Sequence, residues 1–297
     1  MRFDDWHLTH DLDDFLGRAG AFLRSAPALH TVPLTVTETL RARGPYAYGD
    51  EAPEFGVLER DGTVRASFFR TPPHWLNLTA LTGEEADGLA ALLAGRGLRL
   101  PGVNAERGTA AAFAEAWRRR TGATAEVRQR LRLYRLGTLT APRPVPPGRP
   151  RTAGAADREQ LVRWFEGFCR DTGEGVAQDA ARWADARIDR GDVLFWEAPD
   201  GTPVSMAGVS PRVAGQVRVF GVYTPAPLRG RGYAGAVTAE AGRAALASGA
   251  REVLLFADLA NPTSNGLYQR IGYRPVADFD VHVFHHGPSP ARPSGPQ

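Results

Sequence analysis

Residues 217–234 read Val217-Arg-Val-Phe-Gly221-Val222-Tyr223-Thr224-Pro-Ala-Pro-Leu-Arg229-Gly230-Arg231-Gly232-Tyr233-Ala234. The first seven are mostly β-branched or aromatic, with one glycine, which predicts a strand over 217–223. A Pro-containing turn follows, and then a run of small residues over 232–246 reads as a helix stopped at Ser248-Gly249. Glycines at a helix start let backbone N–H groups approach an anion closely, and the helix dipole favours negative charge there. Arg229 and Arg231 add charge-assisted donors. A strand, a glycine loop and a helix in that order suit a phosphate, and the plain alternative is a glycine-rich surface turn.

The flanking sequence alternates in the same way. Downstream, 253–257 reads as a buried strand, 263–270 as a short helix and 279–284 as a closing strand. Upstream, Leu161, Trp164, Phe165 and Phe168 have helical spacing over 157–169, and a second helix is expected over 179–190. Strands at 193–196 and 204–209 flank Pro199-Asp200-Gly201, a hairpin signal. The fold class is α/β (α+β): a mixed sheet with some parallel pairing, flanked by helices.

The N-terminal half repeats this order. Hairpin strands at 55–58 and 64–69 surround Asp61-Gly62, followed by a strand at 75–78, helices at 84–93 and 110–119, and a strand at 127–136. Residues 117–122, ending at Gly122, lie over 267–272, ending at Gly272, and Tyr134 falls over Phe284. An internal duplication is expected. Five prolines between 140 and 150 predict a semi-rigid linker over 141–151. The expected domains are 1–140 and 152–285, with a Pro/Gly/Ser-rich disordered tail at 286–297.

Two phosphate ligands compete. Gly230-Arg-Gly232-Tyr-Ala-Gly235 matches the dinucleotide fingerprint, with Asp258 after the next strand as a ribose acid. This reading makes the chain an NAD(P)- or flavin-binding oxidoreductase. Against it, the six residues 224–229 separate the strand from the first glycine, and the unit follows a hairpin late in the chain. The second reading starts from Arg229, Gly232 and Ala234, which fill the pattern Gln/Arg-x-x-Gly-x-Gly/Ala. Downstream stands Asn261-Pro-Thr-Ser-Asn265-Gly-Leu-Tyr268-Gln-Arg-Ile-Gly272-Tyr273. Together these resemble the acyl-CoA loop and the following Asn-to-Tyr segment of the GNAT superfamily of N-acetyltransferases. The resemblance covers residues 155–285; the first half matches only in element order.

That resemblance implies an acyl-CoA-dependent N-acyltransferase, a tandem GNAT-like chain with a degenerate N-terminal half. It implies transfer of acetyl from acetyl-CoA to a primary amine of a small molecule or peptide. By the same resemblance, Val222, Tyr223 and Thr224 line the pantetheine arm. Arg229, Gly230, Arg231, Gly232, Tyr233 and Ala234 hold the pyrophosphate, and Asn261, Asn265 and Tyr268 also face the cofactor. Gly221 marks a strand bulge, and the strands at 217–223 and 253–257 splay apart. Tyr268 protonates the departing sulfur; the alternative is a groove aromatic. Asn261 and Asn265 either bond the cofactor arm or cap the helix. The strand at 216–223 contains no acid, so Asp258 is the candidate base, with capping of its own turn as the other reading. Residues 79–85 lack the arginine-glycine pattern and carry Glu84 and Glu85, which repel phosphate, and Arg118 stands at the place of Tyr268. A non-catalytic CoA sensor is a third reading.

Composition sets the remaining limits. The 297 residues fit two domains, and the 36 basic residues are all arginine, which excludes lysine chemistry. A net charge of +3 and short, scattered arginine clusters argue against nucleic acid as a partner. One cysteine, Cys169, excludes an internal disulfide, and the acids near the N-terminus do not suit a signal peptide; the expected compartment is the cytoplasm. No apolar run spans a bilayer, so no membrane partner is expected. His282, His285 and His286 have no spaced carboxylate or Cys, and no metal is expected. Glu166, Asp171 and Glu174 are acids that could attract a cationic amine. Both monomer and homodimer remain open.

Overall fold

The computed structural model describes residues 5–173 and 179–287. Residues 288–297 of the expected tail, the first four residues of the chain and Glu174 lie outside the described residues. The chain divides into two compact units, Met1–Leu131 with Ala277–Gln297, and Arg132–Val276.

The first unit runs β1 (Trp6–Thr9), α1 (Leu12–Ser25), α2 (Thr31–Arg43), β2 (Glu54–Arg60), β3 (Thr63–Arg70), β4 (Leu76–Leu78), α3 (Gly83–Gly95), β5 (Gly102–Glu106), α4 (Arg107–Thr121) and the start of β6 (Thr124–Leu136). Its strands lie in the order β1-β2-β3-β4-β5, and β5 then pairs with β12 (Tyr273–His285). Only β4 and β5 are parallel; Phe279↔Glu106 through Val283↔Gly102 is an antiparallel ladder. One face is covered by α3 and α4, where Trp117 is fully buried and stacks on Phe113 and Phe284 with ring centroids 5.9 Å apart in each case. Such rings bury large apolar areas and dominate a core of this size. Sequence periodicity did not anticipate β1, α1, α2 or β5. A start signal was nevertheless present, since Asp11 caps α1 by accepting from the amides of Asp13 and Asp14.

The second unit takes the end of β6 and continues through β7 (Arg149–Thr152), α5 (Arg158–Thr172), α6 (Ala180–Arg190), β8 (Val193–Glu197), β9 (Pro203–Val209), β10 (Gln216–Tyr223), α7 (Tyr233–Ala247), β11 (Glu252–Asp258), α8 (Pro262–Arg270) and the start of β12. Its strand order is β6-β11-β10-β9-β8-β7. Strand, two helices, hairpin, strand, helix, strand, helix, strand thus occurs twice along the chain, a fuller repeat than the hairpin, strand, two helices and strand expected for the first half. The α/β class holds, and the repeated order bears on the expected duplication. The boundaries between units fall inside β6 and β12, because each of these long strands leaves one unit and ends in the other.

The stretch expected as a linker is packed chain. Its end, Arg149–Thr152, is β7 and pairs with β8, and Pro150 is tolerated there because β7 is the outer strand in the order. Before it, the amides of Gly137 and Thr140 donate to the carbonyls of Gly272 and Ile271 at 3.0 Å each. Pro146 is buried, and Nε1 of Trp196 donates to the carbonyl of Pro147 at 3.2 Å.

Candidate active site

The site is built around the start of α7. Gly232 is its N-cap residue, with φ +84°, and offers no side-chain cap, so the first-turn amides have no partner from a capping side chain. The left-handed φ explains the residue type, since a Cβ there is strained although it would meet only ordinary contacts with Pro146. Gly230 and Arg231 are exposed, and Tyr233 and Ala234 are half-buried at the first turn. The opening strand of the loop is irregular at Gly221, which has φ +57° and lies in a register shift of β10 against β9 between Phe220 and Tyr223. Val222, half-buried, sits in that same irregular stretch.

Strands β10 and β11 pair in parallel over Gln216–Arg218 with Glu252–Leu254. Residues 219–223 and 255–258 extend beyond the registered pairs, toward the mouth of α7. Thr224 is buried where β10 ends; its Oγ1 shares a hydrogen bond with Ser205 Oγ at 2.8 Å, while Ser205 Oγ donates to the Tyr223 carbonyl at 3.0 Å. The Thr224 carbonyl accepts from Arg229 Nε at 3.0 Å, and Arg229 also pairs with Asp171 on α5. Arg231 donates to the Pro227 carbonyl at 3.3 Å. The two arginines therefore occupy different places. Arg229 braces the loop, and Arg231 is exposed with one long bond.

Helix α8 carries the second half of the constellation. Asn261 caps it, its Oδ1 accepting from Ser264 N at 3.0 Å. Asn265 Nδ2 donates to the carbonyls of Asp258 and Asn261 at 2.7 and 2.8 Å, and its Oδ1 accepts from the Tyr134 hydroxyl at 2.8 Å. Both asparagines are thus engaged with protein. Tyr268, one turn on, is buried between Tyr134 and Tyr273, at 6.5 and 6.1 Å between ring centroids. Burial pushes its phenol up to about 12, so it keeps its proton at neutral pH. Tyr134 was assigned from sequence to the closing strand of the first half; the end of β6 puts it here, and no local sequence signal announces that. Asp258 Oδ1 accepts from Ala260 N at 2.8 Å, which is the turn-capping geometry.

On the α5 side, Tyr223 packs edge-on to Trp164 with centroids 6.1 Å apart, and Trp164 on Phe195 at 5.3 Å. Tyr223's hydroxyl sits so close to Gly167 that a Cβ there would lie 2.5 Å from it. Of the acids expected near an acceptor, Glu166 is exposed and Asp171 is taken by Arg229. The histidines at the chain end have protein partners: His285 Nε2 lies 3.1 Å from Glu126 Oε1, and His286 Nε2 2.8 Å from the Leu100 carbonyl. Among the described residues no group of three or more His, Cys, Asp or Glu is placed to hold a metal ion, and no helix is long and apolar enough to cross a membrane.

The corresponding place in the first unit has the opposite chemistry. Thr82 and Glu85 form a capping box at α3, with Glu85 N donating to Thr82 Oγ1 at 3.2 Å and Thr82 N to Glu85 Oε2 at 2.9 Å. Across the parallel strands β4 and β5, Asn104 Nδ2 donates to Asn77 Oδ1 at 2.9 Å. The start of α3 already holds a carboxylate. Arg118, at the place of Tyr268, is a surface residue paired with Glu115 at 2.5 Å.

The sequence model of the acetyltransferase (GNAT) family matches residues 158–273. No curated protein is significantly similar in sequence. A GNAT-family acetyltransferase from Colwellia psychrerythraea is 12% identical, with 95% of this chain and 99% of that one covered and a TM-score of 0.58. A GCN5-related N-acetyltransferase from Sphaerobacter thermophilus is 16% identical, with 94% and 95% covered and a TM-score of 0.56. A tandem GNAT protein from the clavulanic acid biosynthesis pathway is 14% identical, with 96% and 100% covered and a TM-score of 0.56. At these identities the solved structures speak for the fold, and the family match speaks for the second half. A parallel β10–β11 pair beside the antiparallel run β7–β10 is also unlike a doubly wound dinucleotide fold. Residues 158–273 thus match the acetyltransferase (GNAT) family, and the chain as a whole is similar in fold to a tandem GNAT protein.

Proposed function

We propose that the second unit transfers acetyl from acetyl-CoA to a primary amine of a small molecule or peptide by direct attack. The observation that carries this is the uncapped start of α7 at Gly232, facing the end of a bulged β10, while the equivalent helix α3 is closed by its own Glu85. In this reading the amides from Arg229 to Ala234, with Arg231, hold the pyrophosphate, and residues 222–224 line the arm. Acetyl-CoA supplies an acyl group activated as a thioester. The Val222 N–H polarises the carbonyl oxygen. Asp258, whose Oδ1 is fixed by Ala260 N, accepts the amine proton at Oδ2, directly or through water.

Tyr268 holds its proton at Oη and gives it to the sulfur as the carbon–sulfur bond breaks. One proton leaves the amine and one reaches the sulfur, so the sum balances through solvent. Asn261 and Asn265 shape α8 and its approach to the arm. Isothermal titration of the full chain with acetyl-CoA and CoA tests binding, and mass-spectrometric turnover over an amine library tests transfer. Absence of binding at high micromolar concentration overturns the proposal. Binding without turnover over a broad panel, unchanged in Tyr268→Phe, selects a non-catalytic sensor instead.

A further inference from the structure

The proline segment before β7 runs beside the phosphate loop. A Cβ at Gly232 would stand 3.8 Å from Cδ of Pro146, and one at Gly235, in the first turn of α7, 3.8 Å from Cβ of Pro142. Two of the prolines that read as linker thus lie along the start of α7, Pro146 by the loop glycine Gly232 and Pro142 by the buried Gly235. Between them stands Arg143, exposed and, among the described residues, without a hydrogen bond or ion pair. Of the loop's own arginines, Arg229 is held by Asp171 and the Thr224 carbonyl, and Arg231, with one long bond to the Pro227 carbonyl, is the one given to the pyrophosphate above. Pro142 and Pro144 fix φ on either side of Arg143, so its backbone is presented with little freedom to lose.

We infer that Arg143 is a further cofactor-binding residue that recognises the phosphate monoester on the ribose of coenzyme A, the 3′-phosphate, as distinct from the pyrophosphate held by α7. This rests on the proposed acyl-CoA reading. The chemistry fits the residue type, since a guanidinium gives two parallel donors to a dianionic phosphate and is charged at every relevant pH. It also gives the segment a purpose that a spacer would not need. Pro146 is buried, with Cδ 3.8 Å from where a Cβ at Gly232 would stand, and Arg143 is exposed three residues before it.

The test compares CoA with 3′-dephospho-CoA by isothermal titration, using the full chain and its Arg143→Gln and Arg143→Lys variants. The wild type is expected to bind CoA about fivefold more tightly than dephospho-CoA, the scale of about 1 kcal/mol for an exposed charge pair. Arg143→Gln removes that preference by weakening CoA alone, leaves dephospho-CoA unchanged, and Arg143→Lys keeps part of it. Raising the salt concentration narrows the wild-type preference. If Arg143→Gln weakens both ligands equally or neither, Arg143 does not read the 3′-phosphate and the acyl-CoA reading stands. If the wild type binds neither ligand, the acyl-CoA reading itself fails, and this inference with it.

Discussion

The Tyr134 hydroxyl donates to Oδ1 of Asn265 at 2.8 Å and accepts from Gln269 Nε2 at 3.2 Å, so a buried residue of β6 fixes two side chains on α8. Tyr268 lies between these two along the helix. Tyr134→Phe leaves Asn265 Oδ1 short of a donor in a part-buried site, which costs about 1 kcal/mol of stability. We expect kcat for acetyl transfer to fall severalfold with KM for acetyl-CoA nearly unchanged, because α8 loses its orientation while the α7 loop is untouched. A rise in KM for acetyl-CoA would place the disturbance at the α7 loop instead, and a thermal melt checks that the lower kcat is not a smaller folded fraction.

In the proposed mechanism Tyr268→Phe removes the proton donor. The expected loss in kcat is about 100-fold, the low end for a general acid, with CoA affinity by titration within about twofold of wild type.

The same tyrosine carries a pH signature. Burial raises its folded-state value to about 12 from about 10 in the unfolded chain, and Tyr273 moves in the same direction. A raised value means the stabilisation is complete below pH 10 and is lost as pH climbs through about 12. The shift of roughly two units sets the scale of the Tyr268 share at about 3 kcal/mol. Between about pH 9 and about pH 11.5, urea midpoints should fall in the wild type and fall less in Tyr268→Phe. An equal fall in both proteins would remove Tyr268 from the account.

Gly232→Ala places a Cβ at φ +84° with ordinary contacts around it, so the cost is backbone strain alone. A loss of about 1–2 kcal/mol in unfolding free energy is expected. Acetyl-CoA affinity should drop by more than that strain predicts, since the α7 amides move. Unchanged affinity would detach α7 from cofactor binding.

Gly167→Ala presses a Cβ to 2.5 Å from the Tyr223 hydroxyl and 2.9 Å from its Cζ. Overpacking of this kind costs about 1–3 kcal/mol. Adding Tyr223→Phe removes the nearer clash and leaves the second, so it should restore part of the stability and no more. Thermal melts of the single and double variants measure the recovery.

How much of the fold was legible in sequence depends on how local each feature is. The α7 loop was readable because Gly230 and Gly232 must adopt a left-handed φ and few other residues do so without strain. The hairpins announced themselves through Asp61-Gly62 and Asp200-Gly201 for the same reason. Asn261 stands before a proline at the α8 start, a local pattern, and its side chain accepts from Ser264 N there. Tyr134 was not legible in its role, since nothing within the strand 124–136 says that its last five residues belong to a different unit from its first eight. The proline run was misleading in another way. Proline forbids a central strand but not an outer one, and it packs as well as any small apolar side chain, as buried Pro146 shows. Helix α2 hides for a third reason. Its β-branched Thr31, Thr35, Thr37 and Thr39 read as poor helix formers, yet Thr35 and Thr37 are buried with their hydroxyls turned onto carbonyls one turn back, at 2.8 Å each.

The crossing of β12 back into the first unit orders events during synthesis. β5 is paired on one side by β4 and on the other by residues 279–283, which are translated long after residue 131 has emerged. At about 5–20 residues per second, that interval is roughly 8 to 30 s. For that time the nascent first half carries an open strand edge along 102–106, the kind of surface that recruits chaperones or a neighbouring chain. Its closure waits until residues 279–283 have been made.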